Sequence, residues 1–135
     1  MTVRECVEQY YEALRAGEPL GEYFADRPAV VKHGINERLV GYDVVVEGLA
    51  DQTANTTDWT VTSHDLRCGQ NGNTGWFADM VEMGWKDLER NTRYDFETRW
   101  SGSLLSSEGK WRFVGMHVSV PLAYADRGDC GHPDG

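Results

Sequence analysis

At 135 residues and a formal net charge of -9, the chain is sized for one domain with a real core. The acidity argues against nucleic acid as a partner, because phosphate binding needs clustered Lys and Arg. A hydrophobic share of 40%, with 5 Trp, 6 Tyr and 4 Phe, excludes a disordered chain.

Thr2 and Glu5 have the spacing of a capping box, which predicts a helix from about Val3. Val3, Cys6, Val7, Tyr10, Tyr11 and Leu14 recur at helical spacing until Gly17 ends the segment. Pro19 suits the first turn of a second, short helix through Leu20, Tyr23 and Phe24, closed by Pro28. Ala29 to His33 reads as a short strand, and Gly34 to Gly41 as a polar connection or small hairpin. Asp43 is placed to cap a third helix through Val45, Val46, Leu49 and Ala50 towards Gln52.

From there the pattern is β. Trp59 to Cys68 reads as one strand followed by the turn signal GQNGNTG, and Trp76 to Trp85 as another followed by DLERN. Arg93 to Pro121 then reads as two long strands folded back on each other around SSEGK. In the first, Tyr94, Phe96, Thr98 and Trp100 alternate with Arg93, Asp95, Glu97 and Arg99. The second has apolar residues on both faces, as expected of a strand covered on both sides. Helices followed by long antiparallel strands predict an α+β domain over residues 1–121, with a loosely docked tail over 122–135.

Cys6, Cys68 and Cys130 have no metal-like spacing and form no even disulfide set, and Cys6 on its apolar helical face reads as a core thiol. The histidines stand at 33, 64, 117 and 132 without close paired ligands, so no metal is expected. With no Gly-rich phosphate loop and no nucleophile elbow, no cofactor is expected either. No apolar run approaches membrane-spanning length and no signal peptide precedes the first helix, so we expect a cytoplasmic protein without a membrane partner. The acidity reads as solubility, and a saline source would also suit 3 Lys against 10 Arg.

Four motifs in order carry a family resemblance. GKWRFVGMHVSVP resembles the last strand of SnoaL-like domains of the nuclear-transport-factor-two-like superfamily. TGWFAD, Thr74 to Asp79, is similar to that group's third-strand motif, and LVGYDVVVEGL, Leu39 to Leu49, to its Gly-led third helix. Glu97 to Arg99 with the same ending also resembles the association domain of calcium/calmodulin-dependent kinase, except that Val118 stands where that domain carries an Arg after the His. The resemblance implies a curved antiparallel sheet packed as a cone on two to three helices, a pocket between them, and a homodimer through the outer sheet face. It does not name a reaction, since relatives range from isomerases, dehydratases, hydrolases and cyclases to proteins that only bind or assemble.

If Arg99 points into the cone, as the similar kinase-domain arginine does, Asp95 and Glu97 share its face and Tyr94, Phe96 and Trp100 face the partner. On the last strand, Val114, Met116 and Val118 then line the pocket, while Trp111, Phe113 and His117 face outward. Arg99 would bind a carboxylate or enolate oxygen through its planar fork, or pair internally with Glu97 or Asp79. Asp79 is a candidate acid or base on a proton next to a carbonyl, or a structural carboxylate. His33, at the end of the first strand, is a candidate base or donor near the pocket mouth, or a solvated histidine. Tyr10 and Trp59 are candidates for an aromatic wall. Two readings follow: a pocket for a small organic molecule, with cofactor-independent acid-base chemistry by Asp79, Arg99 and His33, or a non-enzymatic binding or assembly domain holding the same charges as a buried network.

Overall fold

The computed structural model describes residues 1–122. The expected loose tail, with Cys130 and His132, lies outside the described residues apart from Leu122. Helix α1 runs over Val3–Ala16 and begins at a capping box in which the Glu5 amide donates to Thr2 Oγ1 and the Thr2 amide to Glu5 Oε1. It ends at Gly17, whose φ of 71° favours glycine. Its inward stripe is Val3, Cys6, Val7, Tyr10, Tyr11 and Leu14, all buried. The expected second helix is a single 3-10 turn, Gly21–Tyr23. Helix α2 spans Tyr42–Asn55 and buries only Val45 and Leu49, so most of its surface remains outside the core.

Seven strands follow the order β2-β1-β7-β6-β5-β3, with β4 paired to β5. They are β1 Val31–Gly34, β2 Glu37–Val40, β3 Thr56–Ser63, β4 Arg67–Asn71, β5 Thr74–Asp87, β6 Thr92–Ser107 and β7 Lys110–Ser119. The chain therefore forms an α+β curved sheet packed on two helices, as the sequence predicts. The sheet is mixed rather than antiparallel, because β1 reaches β7 by a crossover and runs parallel to it.

The predicted strand Trp59 to Cys68 divides into β3 and β4, both laid along one edge of the long β5. The break falls at the turn where the Asp65 amide donates to Asp79 Oδ1 at 3.0 Å.

The helix-facing side of β6 carries Thr98, Trp100 and Leu104, all buried, while Arg93, Asp95, Glu97 and Arg99 lie exposed on the outer side. This reverses the face assigned from the resemblance to the kinase domain. Burying the aromatic row gains apolar area and leaves the charges in water, whereas the opposite parity would strand those charges against the helices. On β7 the alternation is broken by a bulge: Ser103 pairs with Gly115 but Leu104 pairs with Phe113, so Val114 is the extra residue. Trp111 and Phe113 before the bulge, and Met116 and Val118 after it, consequently all face the helices and are buried. Trp111 and Phe113 are thus core residues and not partner-facing ones.

Candidate functional site

Between the helices and the sheet lies a cavity of about 460 Å³, in the size range of small-molecule sites. Its apolar wall comes from Tyr10 and Leu14 of α1, Trp59 of β3, Met83 and Trp85 of β5, Trp100 of β6 and Met116 and Val118 of β7. Trp59 stacks on Trp85 with ring centroids 4.9 Å apart. The Trp59 indole N–H donates to Thr56 Oγ1 at 2.8 Å and that of Trp100 to Thr98 Oγ1 at 2.9 Å. Both indole donors are therefore engaged, and these rings offer the cavity π surface instead of N–H groups.

Three polar groups stand against this wall. Lys32 is only 5% exposed, because its register opposite Met116 turns it inward while its neighbour His33 turns out. Its Nζ lies 2.5 Å from Glu37 Oε1 across the β1–β2 hairpin. Tyr10, also lining the cavity, is held edge-on by Tyr23, Phe24, Trp100 and Phe113 at centroid distances of 5.3 to 6.2 Å. No described residue hydrogen-bonds its hydroxyl. Burial, and then the charge of Glu37, push the Tyr10 hydroxyl far above its ordinary value, so it stays a proton donor.

The sequence candidates divide between the two sides of the sheet. Tyr10, Trp59, Met116 and Val118 line the cavity. Val114, the bulge residue, does not line it and is half-buried. Glu97 and Arg99 are exposed on the outer side, where Arg99 borders a hollow with Met80, Ser101, His117 and Ser119. His33 is also outside, its ring 5.3 Å from that of His117. It is not at the cavity mouth, since strand parity gives that place to Lys32.

Asp79 does face the helices and is 5% exposed, but it stands apart from the cavity lining. Its Oδ2 accepts from Tyr11 at 2.8 Å and Ser63 at 2.6 Å, and its Oδ1 accepts from the Asp65 amide. Three donors on one carboxylate tie α1 to the β3–β4 break, a structural job on its own. Arg99 lies across the sheet from it, so no Asp79–Arg99 pair forms. Asp79 and Arg99 both border the outer hollow, but the Asp79 carboxylate is bonded on the helix side, and His33 does not border it.

Sequence reasoning missed Lys32 and Glu37. The available signal was parity: if His33 faces water, its neighbour on a covered strand faces in.

A family model described as a SnoaL-like domain matches residues 3–123. None of the curated proteins matches the chain. Among solved structures, a protein of Streptomyces avermitilis provisionally named a dehydratase of the NTF2-like family is 18% identical, with a TM-score of 0.78 over 90% of this chain and 95% of its own. One of Novosphingobium aromaticivorans, provisionally named a scytalone dehydratase, is 10% identical at a TM-score of 0.77, covering 89% and 82%. A third, from Xanthomonas campestris and provisionally named a calcium/calmodulin-dependent protein kinase II association domain, is 15% identical at 0.73, covering 89% and 86%. At such identities the likeness is one of fold.

Proposed function

Because the chain belongs to the SnoaL-like domain family, we propose that its cavity binds a small organic molecule and performs acid-base chemistry on it without a cofactor. The observation that carries this reading is the placing of the Tyr10 hydroxyl and the Lys32–Glu37 pair against a wall of tryptophan and methionine. Tyr10 would hold a carbonyl oxygen of the ligand in a site screened from water, where a hydrogen bond counts for more. Glu37, oriented by Lys32, would take or return a proton beside that carbonyl. This places the chemistry on residues other than Asp79, Arg99 and His33, none of which meets the cavity wall.

Trp59, Trp85 and Trp100 line the cavity and report its occupancy by fluorescence. Cyclic ketones and aromatic carbonyl compounds are expected to quench that emission in saturable fashion. Tyr10→Phe should weaken a hit about tenfold, the worth of one hydrogen bond. Glu37→Gln should leave binding in place and abolish exchange of the protons beside the carbonyl. Absence of any saturable quenching would sink the small-molecule reading.

The outer face of the sheet supports the further reading of a homodimer. Trp76 and Met80 are 51% and 47% exposed there, beside the histidine pair. We also propose that the protein is cytoplasmic, where Cys6 and Cys68, free thiols among the described residues, would stay reduced.

A further inference from the structure

Resting on the reading of the cavity as a binding site, we propose that Lys32 is a carbonyl-reactive nucleophile, and that the cavity takes aldehydes and unhindered ketones as iminium adducts on its Nζ. The chain has three lysines. Lys110 is exposed, Lys86 half-buried, and Lys32 alone buried. An apolar side chain would serve the inward position opposite Met116 at least as well. The Lys32 side chain is 7% exposed and that of Glu37 38%, so this position desolvates an ammonium where an apolar side chain would cost nothing, and its presence there points to a use beyond holding the fold. A desolvated amine in an apolar pocket is a setting in which lysine attacks carbonyl carbon.

What such a lysine needs is present. A proton acceptor, Glu37, touches the amine. The cavity is large enough for the incoming molecule. Tyr10 offers a donor for its oxygen. Gly34 makes the arrangement possible, since a Cβ there would lie 2.6 Å from Glu37 Oε1 and 2.8 Å from its Cγ. Only a glycine lets the Glu37 side chain fold back over β1 onto Lys32.

The step balances within the site. The Lys32 ammonium hands one proton to the Glu37 carboxylate, and the free amine forms a C–N bond to the carbonyl carbon. The amine's second proton moves to the former carbonyl oxygen, giving a neutral carbinolamine. Glu37 then returns its proton to that hydroxyl, the C–O bond breaks, water leaves, and the iminium cation remains paired with the restored carboxylate. One carbonyl compound and one ammonium become one iminium and one water.

The test is reductive trapping with benzaldehyde and sodium cyanoborohydride, which adds hydride to the iminium carbon and fixes a secondary amine. Peptide mapping compares Lys32 with Lys86 and Lys110 in the same molecule. Burial alone ranks Lys32 slowest, whereas the proposal expects it to be labelled on the order of tenfold faster than either. Lys32→Arg, which keeps the charge and the pairing to Glu37, should lose this fast label. Gly34→Ala, which displaces Glu37, should slow it several-fold. Benzyl alcohol, which cannot form an iminium, is titrated in parallel by tryptophan quenching. Slow labelling of Lys32 with benzyl alcohol still binding would overturn the nucleophile and leave the pocket reading intact. Slow labelling without benzyl alcohol binding would overturn both, and an unchanged rate in Gly34→Ala would overturn Glu37 as the proton carrier.

Discussion

Tyr10 and Tyr11 are neighbours on α1, and the helix sends them to different tasks. Tyr10 meets the cavity, while Tyr11 donates to Asp79. The Tyr11 hydroxyl is pushed far above its ordinary value, first by burial and then by its bond to Asp79. In the unfolded chain a tyrosine ionises near pH 10, whereas in the folded protein both buried hydroxyls stay protonated. Above that pH the unfolded state binds fewer protons, so the tyrosines' share of stability is flat below about pH 10 and falls as the pH rises beyond it, while the buried Cys6 thiol, pushed up to about 11, begins the fall at lower pH. Tyr11→Phe should cost about 1–3 kcal/mol at neutral pH by leaving Asp79 short of a donor. It should also make the alkaline fall shallower without abolishing it, because Tyr10 remains. Urea melts from neutral to about pH 11 check both expectations. At the same scale, Arg99→Ala is an outer-face change and should leave cavity binding where it was, while Tyr10→Phe weakens it; fluorescence titration of the two variants decides.

The elements set these positions through register. β6 reads as an amphipathic strand from its alternation, but alternation does not say which row is inside. The bulge on β7 then gives Trp111 and Phe113 the same side as Met116 and Val118, which strict alternation forbids. Gly102 marks that crossing: a Cβ there would lie 2.4 Å from the Gly115 carbonyl oxygen and 2.8 Å from Phe77. Gly102→Ala should force β6 and β7 apart at the bulge and cost about 1–3 kcal/mol, measurable by chemical denaturation. Trp100, 4% exposed, faces both the core and the cavity, and Trp100→Ala should cost about 3–5 kcal/mol. The same register logic on β1 assigns Lys32 to the inside and His33 to the outside.

At the scale of the whole molecule, the sheet divides two kinds of surface. The helix-facing side holds the cavity and the apolar core. The outer side carries Arg99, Glu97, Glu82 and the His33–His117 pair around exposed Met80. If two copies join through that face, light scattering after size exclusion should give twice the 15.2 kDa chain mass. Met80→Glu should then return it to the monomer, through a desolvated carboxylate at the interface, without loss of cavity binding. A monomer in the unmutated protein would end the homodimer reading. Among the described residues, no helix is long and apolar enough to cross a membrane.

Much of this was already in the amino-acid order. Local rules determined α1, with its capping box and terminal glycine, the hairpin turns after β4, β5 and β6, and the α+β class, because each depends on residues a few positions apart. Met116 and Val118 reach the cavity on the face of Trp100 and not on that of Arg99, so the premise that assigned them to it was the wrong one. What the order of residues left open was which side of the sheet is covered. That choice depends on contacts across the whole chain. It placed Arg99, Glu97 and His33 outside, drew Asp79 into the bonds that break β3 from β4, and used one bulged residue, Val114, to reverse a strand's parity. Lys32 and Glu37 meet only because the hairpin and the parallel pairing of β1 with β7 turn both towards the helices. A period of two fixes neighbours to opposite faces, but only the packing of the sheet against the helices says which face is which.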